Sequence, residues 1–188
     1  MKFNTYFIIA IMAISCKTKV PAEIFVLKSS NSISIVNDII FYHKSRFTGV
    51  LFELNSNKND TVLLERYQQG ELNGISKKWY PTHQLMESRT YKFRRKEGKQ
   101  ISFWENGNKR FEFIANNDAY EGEMKEWSVD GTLFHVAHFV NGQEEGAQKM
   151  WYENGKIRAN YVIIHGKRYG LLGTKNCKNV SDSIFVVK

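Results

Sequence analysis

Glycine recurs in this chain with a fixed period: Gly74, Gly98, Gly122, Gly146 and Gly170 stand 24 residues apart, and Gly49 precedes Gly74 by 25. Other residue types follow the same period. Five positions after Gly74, Gly98, Gly122 and Gly146 come Trp79, Phe103, Trp127 and Trp151; nine after come His83, Gly107, Gly131 and Gly155; eleven after come Leu85, Lys109, Leu133 and Ile157. Such a period marks a repeat architecture, in which each copy buries its apolar surface against the next. The segments flanking each turn alternate with period two and are rich in β-formers, so every unit reads as a β-hairpin. The expected fold class is all-β: antiparallel hairpin repeats forming an elongated, twisted single-sheet meander of about ten to twelve strands.

The turn chemistry sets the register. In "MWYENGKIRANY" (Met150 to Tyr161), a two-residue loop at Asn154-Gly155 places Trp151 beside Arg158. A three-residue loop, Glu153-Asn154-Gly155, places it with Ile157, Ala159, Tyr161 and Ile163. The second choice gathers one apolar face, and register follows burial. The divergent copy "WYPTHQL" (Trp79 to Leu85) agrees. Pro81 falls where a type I turn favours proline, and His83 takes the left-handed position that histidine tolerates. The predicted inner face therefore joins Trp79, Phe103, Trp127 and Trp151 to residues such as Phe111, Phe113, Ala137, Phe139 and Tyr161. The opposite face is expected to carry Lys78, Lys92, Met124 and Met150 together with Tyr80, Trp104, Arg110, Tyr152 and Arg158. These last five are the candidate binding surface, because large aromatics among cations on a solvated face suit contact with a partner. Cross-strand pairing that merely stabilises an exposed sheet explains the same pattern.

The N-terminus speaks to localisation. Lys2 precedes the apolar run "YFIIAIMAIS" (Tyr6 to Ser15), which is shorter than the ~20 residues that a bilayer core requires. A basic start, a short apolar middle and small residues before a break form the layout of a secretory signal peptide over 1–15. The break, Ala13-Ile14-Ser15-Cys16, resembles a bacterial lipobox, which makes Cys16 the candidate lipidation site. Ala13-x-Ser15 also suits ordinary signal peptidase, giving a secreted or periplasmic product, and a retained apolar helix is the third option. With Cys16 acylated, Cys177 has no intramolecular partner among the two cysteines. Residues 16–30 read as the lipidated cysteine and a tether ending in a short strand. The repeat domain spans 31–188, with units at about 49–73, 74–97, 98–121, 122–145 and 146–169. A C-terminal cap is expected over 170–188, including an edge strand in "DSIFVVK", Asp182 to Lys188.

Together these features resemble the MORN repeat variant family, whose units read G-x-x-x-x-[WY]-[WY]-x-x-G-x-[LI] before a strand and a second glycine-centred turn. "EEGAQKMWYENGKIRANYVIIHGK" (Glu144 to Lys167) is the cleanest copy, and "RFTGVLFEL" (Arg46 to Leu54) resembles the opening found in exported members. The copy at Gly98 departs twice, with Asp118 where Gly142 and Gly166 stand in later units and Lys109 at an apolar position. The resemblance implies a non-enzymatic sheet used for membrane or phospholipid contact or for scaffolding. Some bacterial relatives are labelled antitoxins, so an antitoxin-like protein or an inhibitor of a partner enzyme is one alternative, although an export signal argues against a cytoplasmic antitoxin.

Chemistry is sparse. His135 and His138 are three apart, which on a strand sends them to opposite faces and makes them a poor chelate. The acidic pairs Glu121/Glu123 and Glu144/Glu145 recur beside the glycines and so follow the architecture. No phosphate-binding loop, nucleophile elbow or zinc motif is present, and no metal or cofactor is expected. An enzyme would need an unrecognised site near Cys177 or His165. The net charge of +8 favours an anionic neighbour. No nucleic-acid motif accompanies that charge, and export argues against such a ligand. The expected partners are an envelope protein, a glycan or anionic lipid headgroups, reached from a membrane anchor at Cys16.

Overall fold

The computed structural model describes residues 22–173, and all regular structure within them is β. The described chain opens with β1 (Phe25–Leu27) and passes through a small antiparallel sheet of β2 (Ile33–Val36), β3 (Ile39–Tyr42) and β4 (Ser45–Arg46). It then runs as β5 (Gly49–Leu54), β6 (Thr61–Gln68), β7 (Glu71–Leu72), β8 (Gly74–Trp79), β9 (Leu85–Lys92) and β10 (Arg95–Phe103). Six more strands follow: β11 (Lys109–Asn116), β12 (Ala119–Trp127), β13 (Leu133–Val140), β14 (Gln143–Trp151), β15 (Ile157–Ile164) and β16 (Lys167–Leu171). Strand β1 and strands β5 to β16 form one open 13-stranded sheet. The all-β hairpin meander expected from the repeat is present, with more strands than the period alone suggested. One pair departs from the antiparallel pattern: β1 runs parallel to β5. The chain between them is long enough to fold as the small sheet, so it returns in the same direction.

The three-residue loops are as expected. The Tyr152 amide donates to Lys156 O and the Gly155 amide to Tyr152 O, both at 2.9 Å, and the same two bonds recur at Tyr80/Gln84, Trp104/Asn108 and Ser128/Thr132. His83 takes the left-handed position at φ 66°. The alternate connections are two-residue turns with both φ positive, as at Asn141-Gly142 and His165-Gly166. Asp118 fits there at φ 72°, and its carboxylate accepts the Lys96 amide at 2.7 Å, so the missing glycine is compensated. The periodic glycines have a different task. Gly98 and Gly122 sit within β10 and β12 at φ 73° and 70°, where the ladder shifts register. A Cβ at either position would meet nothing within 4 Å, so backbone conformation and not space requires glycine there.

The predicted apolar face needs correction. Just after each three-residue loop lies a second irregularity: Met150 opposes Ala159, but Trp151 opposes Ile157, so Arg158 is an extra residue. The shift recurs at Ser102/Phe103, Glu126/Trp127 and Lys78/Trp79. A bulge of one residue reverses which side chains share a face. Trp79, Phe103, Trp127 and Trp151 therefore lie on a back face with Leu85, Leu133 and Ile157. Phe111, Phe113, Ala137, Phe139, Ala159, Tyr161 and Ile163 lie on a front face with Met124 and Met150.

The front face holds the core in three clusters. At the N-terminal end Val26, Ile40, Phe47 and Leu51 are buried, with Ile33, Tyr42 and Tyr67 packed around them, so the small sheet covers the start of the large one. In the middle, Phe113, Ala115, Met124 and Ala137 pack with Phe111 and Phe139, and Tyr120 lies between Phe113 and Phe139 with ring centroids 4.4 and 4.9 Å away. Rings from three adjacent strands thus interleave over small residues. Ala159, Tyr161 and Ile163 form the last cluster with Met150. Two buried glutamines follow the repeat glycines: Gln100 donates to Thr90 O at 2.9 Å and Gln148 to His138 O at 2.8 Å.

On the back face the slot aromatics are half-buried, and lysines lie over two of them. Lys109 Nζ lies 5.2 Å from the Trp127 ring centroid and Lys149 Nζ 5.1 Å from that of Trp151. The lysine at an expected apolar position is therefore accommodated by its cation on the ring of the next repeat. Lys109 also bonds Glu112 at 3.0 Å, and Lys99 reaches the same carboxylate at 3.1 Å. The hydrogen bond from Lys109, then that from Lys99, holds the Glu112 carboxyl below its ordinary range despite partial burial. A lowered folded pKa contributes stability that is present above the unfolded value and lost as pH falls through the folded one. Wild type should therefore melt above Glu112→Gln at neutral pH, with the gap closing below about pH 4. Thermal melts of both proteins between neutral and acidic pH measure this, and a gap independent of pH would contradict it.

Candidate binding surface

The five sequence-predicted contact residues occupy repeat-equivalent positions but have unequal surroundings. Tyr80, one residue beyond β8, is half-buried and its hydroxyl donates to Phe103 O at 3.1 Å. Trp104 is also half-buried, and its indole Nε1 donates to Trp127 O at 2.9 Å. Each side chain thus reaches from its own hairpin to the backbone of the next, at the residue in the aromatic slot. Arg110 is exposed and lies over Trp104, its guanidinium 4.7 Å from the ring centroid. Trp104 and Arg110 cover one another, while Tyr152 stands 43 % exposed and Arg158 is exposed beside an open cleft.

That cleft, about 810 Å³, is where the repeat changes. In the unit 122–145 the position of Tyr80 and Trp104 is taken by Ser128, and that of Arg110 by Phe134. Serine cannot span the gap to the next hairpin. Its hydroxyl turns back into its own loop, within 3.0 Å of Thr132 O and beside the Asp130 carboxylate. Hydrogen bonds from Ser128, then from the Thr132 amide, hold the Asp130 carboxyl below its usual range. Ser128 and Phe134 form one wall of the cleft; Trp151, Tyr152 and Arg158 form the other, with Asp130 and Glu153 also lining it.

The acidic residues beside the glycines are staples, a role that sequence reasoning missed. Glu97 accepts the Asn117 amide at 2.9 Å, Glu121 the Asn141 amide at 2.9 Å, and Glu145 the His165 amide at 3.1 Å. Each carboxylate anchors the tight turn of the following hairpin. The signal was available: a glutamate precedes Gly98, Gly122 and Gly146 alike. The same Glu145 contact places His165 in a turn, at φ 51°. His135 and His138 lie on opposite faces, as their spacing predicts; His135 Nδ1 is 2.7 Å from Glu126, while His138 Nδ1 meets Glu145 O at 3.0 Å. Among the described residues no group of three His, Cys, Asp or Glu side chains could hold a metal ion, and no helix is long and apolar enough to cross a membrane. The signal peptide, Cys16, Cys177 and the proposed strand from Asp182 to Lys188 lie outside the described residues.

An open sheet of hairpins, linked between successive turns by side-chain-to-backbone bonds, defines a β-repeat protein built on one long sheet. Residues 96–117 and 144–161 match the MORN repeat variant family, and the all-β hairpin meander is consistent with that repeat. The matched segments contain Trp104 with Arg110 and Tyr152 with Arg158, and the unit holding Ser128 lies between them. A search of curated proteins gives no match. MORN repeats are generally associated with membrane or protein binding.

Proposed function

We propose that this chain is a non-enzymatic binding or scaffolding module of a bacterial cell envelope, exported by residues 1–15 and anchored through lipid on Cys16. Its repeat sheet holds an envelope protein, a glycan or anionic lipid headgroups within reach of that anchor. The observation that carries this reading is that Tyr152 and Arg158, both exposed, line one open cleft of the sheet. An aromatic and a cation presented together are the side chains most enriched among binding hot spots.

Crosslinking in the native envelope tests this. Wild-type protein should stay in the membrane fraction and carry reproducible crosslinked adducts. Cys16→Ser should release it from that fraction, and Tyr152→Ala/Arg158→Ala should cut adduct yield about tenfold, equivalent to about 1.4 kcal/mol. Unchanged adducts in the double variant would count against this surface, and membrane retention of Cys16→Ser would count against the anchor.

A further inference from the structure

We propose that the cleft over Ser128 is a receptor for a tyrosine or tryptophan side chain from a partner protein, inserted where the neighbouring repeats place their own aromatic. This rests on the binding-module reading above and names the chemistry of the partner.

The occupant is specified by the chain itself. At two places among the described residues the space between consecutive hairpins is filled by an aromatic ring carrying one hydrogen-bond donor: Tyr80 donates to Phe103 O and Trp104 to Trp127 O. The next carbonyl in this series is that of Trp151, which lines the cleft. The side chain that would reach it is replaced by Ser128, whose hydroxyl is engaged in its own loop. A ring entering here would rest on Phe134, the counterpart of the Arg110 that covers Trp104. Aromatic pairs add to the area they bury, and a donor aimed at a backbone carbonyl adds direction. An aliphatic side chain supplies neither. Residues 174–188 contain no tyrosine or tryptophan, so that stretch cannot provide this occupant.

Saturation-transfer NMR on the full chain in detergent, with N-acetyl-tryptophanamide as probe and N-acetyl-leucinamide as comparison, tests the inference. The expected result is saturable transfer to the indole protons, with little to the leucine probe. Ser128→Trp fills the cleft from within, as Trp104 does one unit earlier; it should reduce the transfer about tenfold while melting at or above the wild-type temperature. Ser128→Tyr gives the same readout if the tryptophan variant does not fold. Equal transfer to both probes, no saturable transfer, or wild-type transfer in a folded Ser128 variant would overturn the proposal. Those results alongside envelope adducts that still depend on Tyr152 and Arg158 would remove the aromatic receptor and leave the wider binding role standing.

Discussion

Gly70→Ala should destabilise the protein by about 3 kcal/mol, the sum of overpacking a filled site and placing a side chain in the left-handed region. Gly70 has φ 83° and joins the two sheets. Its amide donates to Phe47 O at 2.7 Å, and its carbonyl accepts the Ile40 amide at 2.9 Å. A Cβ there would stand 2.4 Å from the Ile39 side chain and 2.7 Å from Ile40 O, and backbone cannot rotate out of the way as a side-chain end can. The small sheet should therefore lose its seat on β6 and β7. Amide hydrogen exchange checks this residue by residue: protection should fall across β2 to β4 and around Val26, Phe47 and Leu51, while β10 to β14 keep theirs. Protection lost uniformly would mean that the small sheet and the repeats unfold as one unit.

Phe113→Ala should have an effect of similar size at a different place. Phe113 is 7 % exposed and packs with Phe111, Tyr120, Met124 and Ala137. Truncating a buried phenylalanine typically costs about 3–5 kcal/mol; Phe113→Leu should recover most of that, with a residual loss under about 1.5 kcal/mol. In a repeat sheet each hairpin is coupled mainly to its neighbours. Hydrogen exchange should therefore accelerate in β11 to β13 and leave β5 and β6 protected, the reverse of the Gly70→Ala pattern. A denaturant melt alone does not separate the two variants, because it reports a total and not a location.

Much of the fold was legible because turns are local. Pro81 and His83 specify their loop through φ preferences that need no tertiary contact, and Asn-Gly does the same in later units. The face assignment was less accessible. Counting alternate residues from Trp151 through the loop places it with Tyr161, whereas the extra residue at Arg158 puts it on the opposite side. No single residue type announces that bulge, since its extra residues are Met86, Arg110, Phe134 and Arg158. The choice is made by ladder pairing together with burial of small residues such as Ala137 and Ala159 beneath aromatic rings.

The candidate site divides in the same way. Sequence spacing identified Tyr80, Trp104, Arg110, Tyr152 and Arg158 as equivalent residues worth attention. Which of them bind internally depends on distances between hairpins: Trp104 finds a carbonyl 23 residues away, and Arg110 finds the Trp104 ring. By itself the sequence determined the repeat, its period, its loop types and the all-β class, because each follows from backbone preferences of residues close together in the chain. Only the tertiary structure decided which face each aromatic serves, how the small sheet seats on Gly70, and that Ser128 leaves a cleft. Those outcomes depend on the register between strands and on what a neighbouring repeat can reach.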